Sequence, residues 1–430
     1  MGTLPKALSH GLQSTVLATA AVLAVGFAAP AMADSAALET FAPRPAASVL
    51  PAGMLTGPHH QVVGTVQTFG YLNNFVVQSE YGTFQAPSNT MLRRLIREIG
   101  AIDALHGITL TEAYGKALGQ AALSPVRGAV NLVTNPVDTV KAVPGAIFSI
   151  FERTGSAISS TVNDEKTAYE DSSAAQLLQM SSYKRDYCKQ FGVDPYSSNA
   201  VLQDELESVS WAAAVGNLTV SAATMASGST VVQVLSYGRN ISQAIDIVAA
   251  EPPAELALKN KAALKQMGIA PALADQFMGQ KMYSPRAKTI LLYALGAMQN
   301  TAGRDAMVQA ALNAPDEVTA IMYQQMAELL NGYDAKVAPI VRLERYNRVV
   351  LAREKSGKAV ALLPLDYAIW NQQAGGAVTQ LAKALRLKPG STGVAAFWLT
   401  GTASPLFKQQ ANALGFDVKE NVGSQLPLAD

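Results

Sequence analysis

The stretch from Ala395 to Val422, AAFWLTGTASPLFKQQANALGFDVKENV, most constrains how this chain can fold. Val394 to Leu399 is apolar without alternation, which is typical of a strand buried on both faces. Ser404 and Pro405 then predict the start of a helix, Gly415 predicts its end, and a second apolar run follows. Strand, helix and strand in this order favour an α/β arrangement.

The residues before this stretch extend the same pattern. IVRLERYNRVVLAREKSGKAVALLPLDYAIW predicts two strands joined by a turn at residues 355–358, and GGAVTQLAKALRL predicts a helix. We therefore expect a C-terminal α/β module over residues 336–430.

A second β-rich region lies near the N-terminus. HQVVGTVQTFGYLNNFVVQSEYGTFQAPS is rich in β-branched and aromatic residues and has turn signals at Phe69-Gly70 and Tyr81-Gly82. It predicts a small antiparallel β-meander, which is too small to stand alone. Ser88 predicts the N-cap of an amphipathic helix that packs on it. Together they form a predicted unit over residues 61–108.

Residues 109–335 carry a helical pattern almost throughout. Prolines mark many helix starts, for example Pro285 in SPRAKTILLYALGAM. Helix pairs of this length raise the question of a solenoid, but neither the spacing nor the residues repeat. A large irregular helical bundle is predicted, and the fold class is α+β.

The first 33 residues predict a secretory signal peptide. Lys6 is their single charged residue, residues 16–29 are apolar, and Ala31-Met32-Ala33 supplies a small-residue cleavage site. Cleavage near Ala33 leaves a periplasmic or extracellular protein. Residues 34–60, rich in proline and alanine, then predict a linker.

The predicted mature chain is electrically balanced, because without Lys6 it carries as many basic as acidic residues, 32 of each. This balance argues against a nucleic-acid partner. Charged residues make up 15% of the chain, against about 25% in an average soluble domain. That composition favours extensive apolar contacts within the protein, with a membrane surface or with a partner.

Only three histidines follow the predicted signal peptide: His59, His60 and His106. Ser-His-Asp hydrolases and most zinc enzymes need placed histidines. The adjacent His59 and His60 have no HExxH or CxxC pattern nearby, so no metal site is predicted. His106 is predicted to interact with the last carbonyls of its helix. No catalytic residue and no cofactor are assigned.

Cys188 is the single cysteine and a candidate reactive thiol. Lys184, Arg185 and Lys189 surround it, and neighbouring cations lower the pKa of an exposed thiol. The alternative is a small core side chain, because Phe191 and neighbouring tyrosines fall on the same side of the helix.

Residues 208–238 contain no charged side chain and are rich in Ala, Ser, Thr and Gly. Such a composition is found in closely packed helices, including those in lipid. We expect a helix buried in the bundle. The alternative is a membrane-inserting hairpin, with residues 126–151 as an amphipathic companion.

The turn after the apolar strand is a candidate ligand site, formed by Thr400, Gly401, Thr402 and Ser404. Unpaired amides at the start of the next helix can hold an anion. Residues 395–422 resemble in outline the first strand, Thr-Gly turn and helix of BRCT domains, which use the matching Thr and Gly to hold a phosphate. The tryptophan-bearing later helix of that family is absent, so only the geometry is shared.

The order of the meander, NPVDTVKAVPGAI, the helical middle and WLTGTASPLFKQQANALGF resembles a family of exported proteobacterial proteins of unassigned function. We expect an exported cell-envelope protein with a non-enzymatic binding or scaffolding role, whose partner is an envelope protein or a membrane surface. One alternative is a membrane-inserting or pore-associated protein that uses residues 126–151 and 208–238. Another is an envelope-polymer hydrolase. The oligomeric state stays open.

Overall fold

The computed structural model describes residues 38–121, 175–216 and 239–429. The predicted signal peptide and residues 126–151 lie outside this described part, and of the uncharged stretch only residues 208–216 lie within it. Among the helices of these three ranges, none is both long and apolar enough to cross a bilayer.

The predicted α+β class is confirmed, and its first part is an antiparallel sheet in the order β1-β3-β4-β5, with β2 paired to β3. Its strands are β1 (Arg44–Pro45), β2 (Thr56–Gly57), β3 (His60–Phe69), β4 (Leu72–Ser79) and β5 (Gly82–Ala86). The predicted turns lie where expected. Gly70 and Tyr71, with φ of 54° and 71°, reverse the chain tightly between β3 and β4.

Helix α3 (Asn89–Thr109) covers the inner face of this N-terminal sheet. The predicted N-cap is confirmed, because Ser88 Oγ accepts a hydrogen bond from the Met91 amide at 3.0 Å. Leu92, Leu95 and Ile99 pack against the inward side chains of the sheet, which are Val62, Val66, Phe75 and Val77. The alternating pattern of the strands is thus satisfied by the apolar stripe of one helix.

Residues 38–60 differ from the predicted linker. They form β1, β2 and two short helices, α1 (Ala46–Val49) and α2 (Ala52–Leu55). Ala46 and Leu50 are buried in the core beneath the N-terminal sheet. The amide of Glu39 donates to the carbonyl of Trp370 at 2.9 Å, and its carboxylate accepts from the Trp370 amide at 2.7 Å. The described part of this segment is therefore a packed strap that reaches the C-terminal module.

The described helices of the middle region contribute to three clusters of buried side chains. They are α4 (Glu112–Ala121), α5 (Ala175–Phe191), α6 (Ala200–Gly216), α7 (Arg239–Ala250), α8 (Pro253–Gln266), α9 (Pro271–Met278), α10 (Pro285–Ala297), α11 (Asp305–Ala311) and α12 (Glu317–Lys336). Helices α4 to α6 pack with α3 around Leu105, Tyr187 and Leu206. Helices α10 to α12 share a core with the C-terminal sheet instead. The helices of this bundle thus cover two neighbours, since α4 to α6 lie on α3 and α10 to α12 lie on the C-terminal sheet.

The C-terminal sheet has the order β12-β10-β8-β7-β6, with β8, β10 and β12 parallel and β6 and β7 antiparallel. Its strands, together with the separate pair β9 and β11, are β6 (Ile340–Tyr346), β7 (Val349–Glu354), β8 (Ala359–Leu363), β9 (Tyr367–Ala368), β10 (Ala395–Leu399), β11 (Thr402–Ala403) and β12 (Phe416–Lys419). Three strands replace the two predicted over residues 340–363. The missed turn follows Tyr346, where Asn347 adopts φ 57° and closes a hairpin.

Helices cover both faces of this sheet. Ala396 and Trp398 of β10 face α10 to α12, and the Trp398 ring lies 4.7 Å from that of Tyr333 on α12. Phe397 faces the opposite side, with α13 (Gln372–Ala384) and α14 (Pro405–Ala413), and stacks on Phe416 at 4.4 Å. The predicted burial on both faces is confirmed for Ala395 to Leu399, whereas Val394 precedes the strand and is 47% exposed. The helices α13 and α14 are the crossovers that make β8, β10 and β12 parallel.

Candidate functional site

The Thr400-Gly401 turn lies at the carboxyl ends of the parallel strands, where ligands often bind in α/β sheets. Here its amides bond to the chain itself: Thr400 donates to Leu363 at 3.2 Å, Gly401 to Leu365 at 2.8 Å and Thr402 to Asp366 at 3.1 Å. A Cβ on Gly401 would lie 2.1 Å from the Asp366 carbonyl oxygen. The glycine is required by this close approach of two backbones.

The start of α14 is also occupied by groups of the chain. Ser404 Oγ accepts from the Phe407 amide at 3.0 Å and donates to the Glu39 carboxylate at 2.5 Å. The Ala403 amide donates to Glu420 at 2.7 Å. Burial alone would raise the pKa of Glu420, but this amide and Lys408 hold it below its usual range. The carboxylates of Glu39 and Glu420 thus lie where an anion would bind. Ligand binding at Thr400, Gly401, Thr402 and Ser404 stays a prediction.

Asp366, which the sequence did not single out, is the charged centre of the junction between the N-terminal sheet and the C-terminal module. Its Oδ2 accepts from the amides of Asn73 and Asn89, both at 2.9 Å. Burial raises the pKa of this carboxyl to about 6, against the opposing effect of the two amides, Arg93 and Arg44. The carboxylate joins the β3–β4 turn region and the start of α3 to the C-terminal module.

Polar contacts around Asp366 strengthen the same junction. The guanidinium of Arg44 donates to Asn73 Oδ1 at 2.7 Å and lies 4.0 Å from the centre of the Tyr367 ring. The hydroxyl of Tyr71 donates to Asn371 Oδ1 at 2.9 Å. Residues 300 or more positions apart in the chain are therefore held in one polar cluster, which orients the two sheets.

A second buried charged cluster joins α3 to the loop after α5. Arg94 contacts Glu98 at 3.1 Å and Asp194 at 2.8 Å. Ser197 and Asn199 donate to the two oxygens of Glu98, at 2.6 Å and 3.1 Å. These contacts offset the free-energy cost of removing the charges from water. The cluster therefore fixes the position of the loop after α5 against α3.

Cys188 lies in the core between α5, α3 and α6, and its side chain is fully buried. Burial raises the pKa of this thiol, and the opposing effect of Lys184 and Arg185 is smaller. Tyr187 and Phe191 are buried beside it, as the alternative interpretation expected. The described geometry is that of a small core side chain.

The histidines at positions 59, 60 and 106 have different surroundings. His60, the first residue of β3, is buried, and burial lowers its pKa. His106 does not interact with the last carbonyls of its helix through its ring. Its Nδ1 lies 3.2 Å from a carboxylate oxygen of Glu205 on α6, and its ring lies 6.0 Å from that of Tyr81.

His59, in the turn before β3, lies between two carboxylates. Its Nδ1 is 2.7 Å from Glu80 Oε1 and its Nε2 is 3.5 Å from Asp103 Oδ2. Glu80 belongs to the β4–β5 turn and Asp103 to α3. Of this group the sequence identified His59 alone, because no spacing pattern links the three residues.

Comparison of the chain with protein-family models, curated proteins and solved structures finds no match. The resemblance to exported proteobacterial proteins therefore stays a prediction from the sequence.

Proposed function

We propose that this protein is exported to the cell envelope and acts there as a non-enzymatic binding or scaffolding protein, with an envelope protein as its partner. The signal-peptide pattern of residues 1–33 and the balanced charge of the mature chain support the proposal. The observation that carries it is the composition of one exposed sheet face.

The outward face of the N-terminal sheet presents uncharged side chains from three adjacent strands; we call it the amide face. Its members are Gln61, Val63, Thr65, Gln67, Phe69, Asn74, Val76, Gln78, Thr83 and Gln85. Strand pairing places Gln61 beside Gln78 and Val63 beside Val76. Phe69 and Val76 are exposed by 48% and 38%.

Solvated sheet faces are usually polar, and charged side chains are common on them. The amide face combines side-chain amides, which donate and accept hydrogen bonds, with exposed apolar groups. Low charge and embedded apolar side chains are typical of the centre of protein interfaces. The buried contacts at Asp366 connect this sheet to the C-terminal module.

Crosslinking in intact cells tests this function. A photoreactive phenylalanine analogue replaces Val76 at the centre of the amide face or, as a control, Leu258 on α8, which is 57% exposed. We expect a discrete crosslinked product at Val76, none at Leu258, and loss of the product when Gln61 and Gln78 are both changed to lysine. No product at Val76, or equal products at both positions, contradicts the proposal.

Fractionation tests export separately. We expect a mature chain that begins at Asp34 and is released from membranes by carbonate. A chain that retains residues 1–33 in the cytoplasm refutes export, and a chain that resists carbonate supports the membrane-inserting alternative instead.

A further inference from the structure

Three side chains with metal-ligating atoms meet on the surface where the N-terminal sheet contacts α3. We propose that His59, Glu80 and Asp103 form a binding site for a divalent transition-metal ion of the zinc class. The proposal does not depend on the envelope partner, since it concerns a different surface and a different ligand.

The distances fit coordination. One atom from each of the three side chains can be chosen so that all three lie within 4.8 Å of one another. Tetrahedral coordination at about 2.0–2.2 Å places ligand atoms roughly 3.3–3.6 Å apart. Glu80 contacts Nδ1 and Asp103 contacts Nε2, so one of the two carboxylates must rotate toward the ring nitrogen that the other contacts. The side chains of His59, Glu80 and Asp103 are 33%, 58% and 41% exposed, so water can fill the remaining positions.

A neighbouring hydroxyl orients one of the ligands. Tyr81 donates to Asp103 Oδ1 at 2.6 Å, while Oδ2 of the same carboxylate points toward His59. Partners of this kind are typical around metal ligands, because they fix the carboxylate and reduce the cost of ordering it.

The donor set indicates the class of ion. One imidazole nitrogen with two carboxylate oxygens suits zinc and similar first-row ions, which accept both donor types. Calcium takes six to eight oxygen ligands, and magnesium binds mainly through carboxylates and water. Neither is matched by a site whose central ligand is an imidazole.

The ion would connect three separate elements: the turn before β3, the β4–β5 turn and α3. Binding to the folded chain alone raises its stability by mass action. The site would therefore hold the two loops at this end of the sheet against the helix. The competing arrangement is a protonated His59 that donates one hydrogen bond to each carboxylate.

Zinc titration of the chain from Asp34 distinguishes metal coordination from a protonated His59 that donates to both carboxylates. The chain from Asp34 has three histidines, so its imidazole NMR spectrum contains three spin systems. We expect zinc chloride to shift the His59 signals with one ion per chain, to leave those of His60 and His106 in place, and to raise the melting temperature. Magnesium and calcium chlorides should not compete.

Variants locate the ligands. His59→Gln and Glu80→Gln should each weaken zinc binding at least about tenfold by calorimetry. Glu80 is exposed, so its replacement leaves the fold intact. His106→Gln is the matched control, since His106 is 32% exposed and pairs with one carboxylate; it should bind like the wild type. Any of three results overturns the proposal. The zinc affinity of His59→Gln is unchanged, His106→Gln loses as much zinc affinity as His59→Gln, or the His59 ring is still protonated at both nitrogens in excess zinc.

Discussion

Replacing Asp366 with asparagine should change how the stability of the protein depends on pH. In the folded protein burial raises the pKa of this carboxyl from 3.8 to about 6. The folded state therefore binds the proton more tightly than the unfolded state does. Protonation of Asp366 consequently adds to the free energy of unfolding as the pH falls through about 6. This gain is complete once the pH lies below 3.8, the pKa of the carboxyl in the unfolded chain.

The magnitude follows from linkage. One pKa unit corresponds to about 1.4 kcal/mol, so the full contribution is about 3 kcal/mol. Between about pH 7 and about pH 5 the wild type should gain about 1.3 kcal/mol from this group, and about 2.4 kcal/mol by about pH 4. An asparagine at position 366 is neutral throughout, and its oxygen can still accept from the Asn73 and Asn89 amides, so the variant lacks this gain.

Urea unfolding of the wild type and of Asp366→Asn, at several pH values, measures the difference directly. Titrations common to both chains cancel in that difference. Glu420→Gln is a control of opposite sign, because the pKa of Glu420 is lowered and the wild type loses that contribution as the pH falls below the ordinary value of 4.5. Parallel stability profiles for the wild type and Asp366→Asn between about pH 7 and about pH 5 refute this account of Asp366.

Four further predictions concern stability and reactivity. Gly401→Ala should destabilise the fold by at least about 3 kcal/mol in urea, because its Cβ would meet a backbone oxygen at 2.1 Å. Gly376→Ala, in the exposed face of α13 with no atom within 4 Å of the added carbon, should be neutral or stabilise by about 0.5–1 kcal/mol. Arg94→Ala should cost about 3–5 kcal/mol, since it leaves two buried carboxylates without their cation; a loss under about 1 kcal/mol contradicts the importance of this cluster. Cys188 should react with a thiol reagent only after unfolding, and rapid labelling of the folded chain would show that it is accessible.

The packed strap over residues 38–60 has a consequence for export. Glu39 lies a few residues after the predicted cleavage site and holds both Trp370 and Ser404 of the C-terminal module. The tertiary structure of that module therefore includes a segment that follows closely on the predicted signal peptide. Deletion of residues 34–45 should lower the stability of the C-terminal module as well as that of the N-terminal sheet.

The sequence by itself determined the features that depend on neighbouring residues. The caps at Ser88 and Ser404, the turn at Gly70 and the buried strand before Thr400 were predicted and are observed. Each is decided by hydrogen bonds or side-chain patterns within a few positions of the chain. The α+β class follows from the order of such segments.

Only the tertiary structure decided where the charged groups meet. Asp366 binds amides almost 300 residues earlier, and His59, Glu80 and Asp103 come from two turns and a helix. No local pattern encodes these pairings, because they depend on how the sheets and helices pack. The strap was missed for the same reason: its prolines resemble a linker, and burial against the distant module is what orders it. Local interactions thus selected the elements, and long-range burial of apolar and charged groups placed them together.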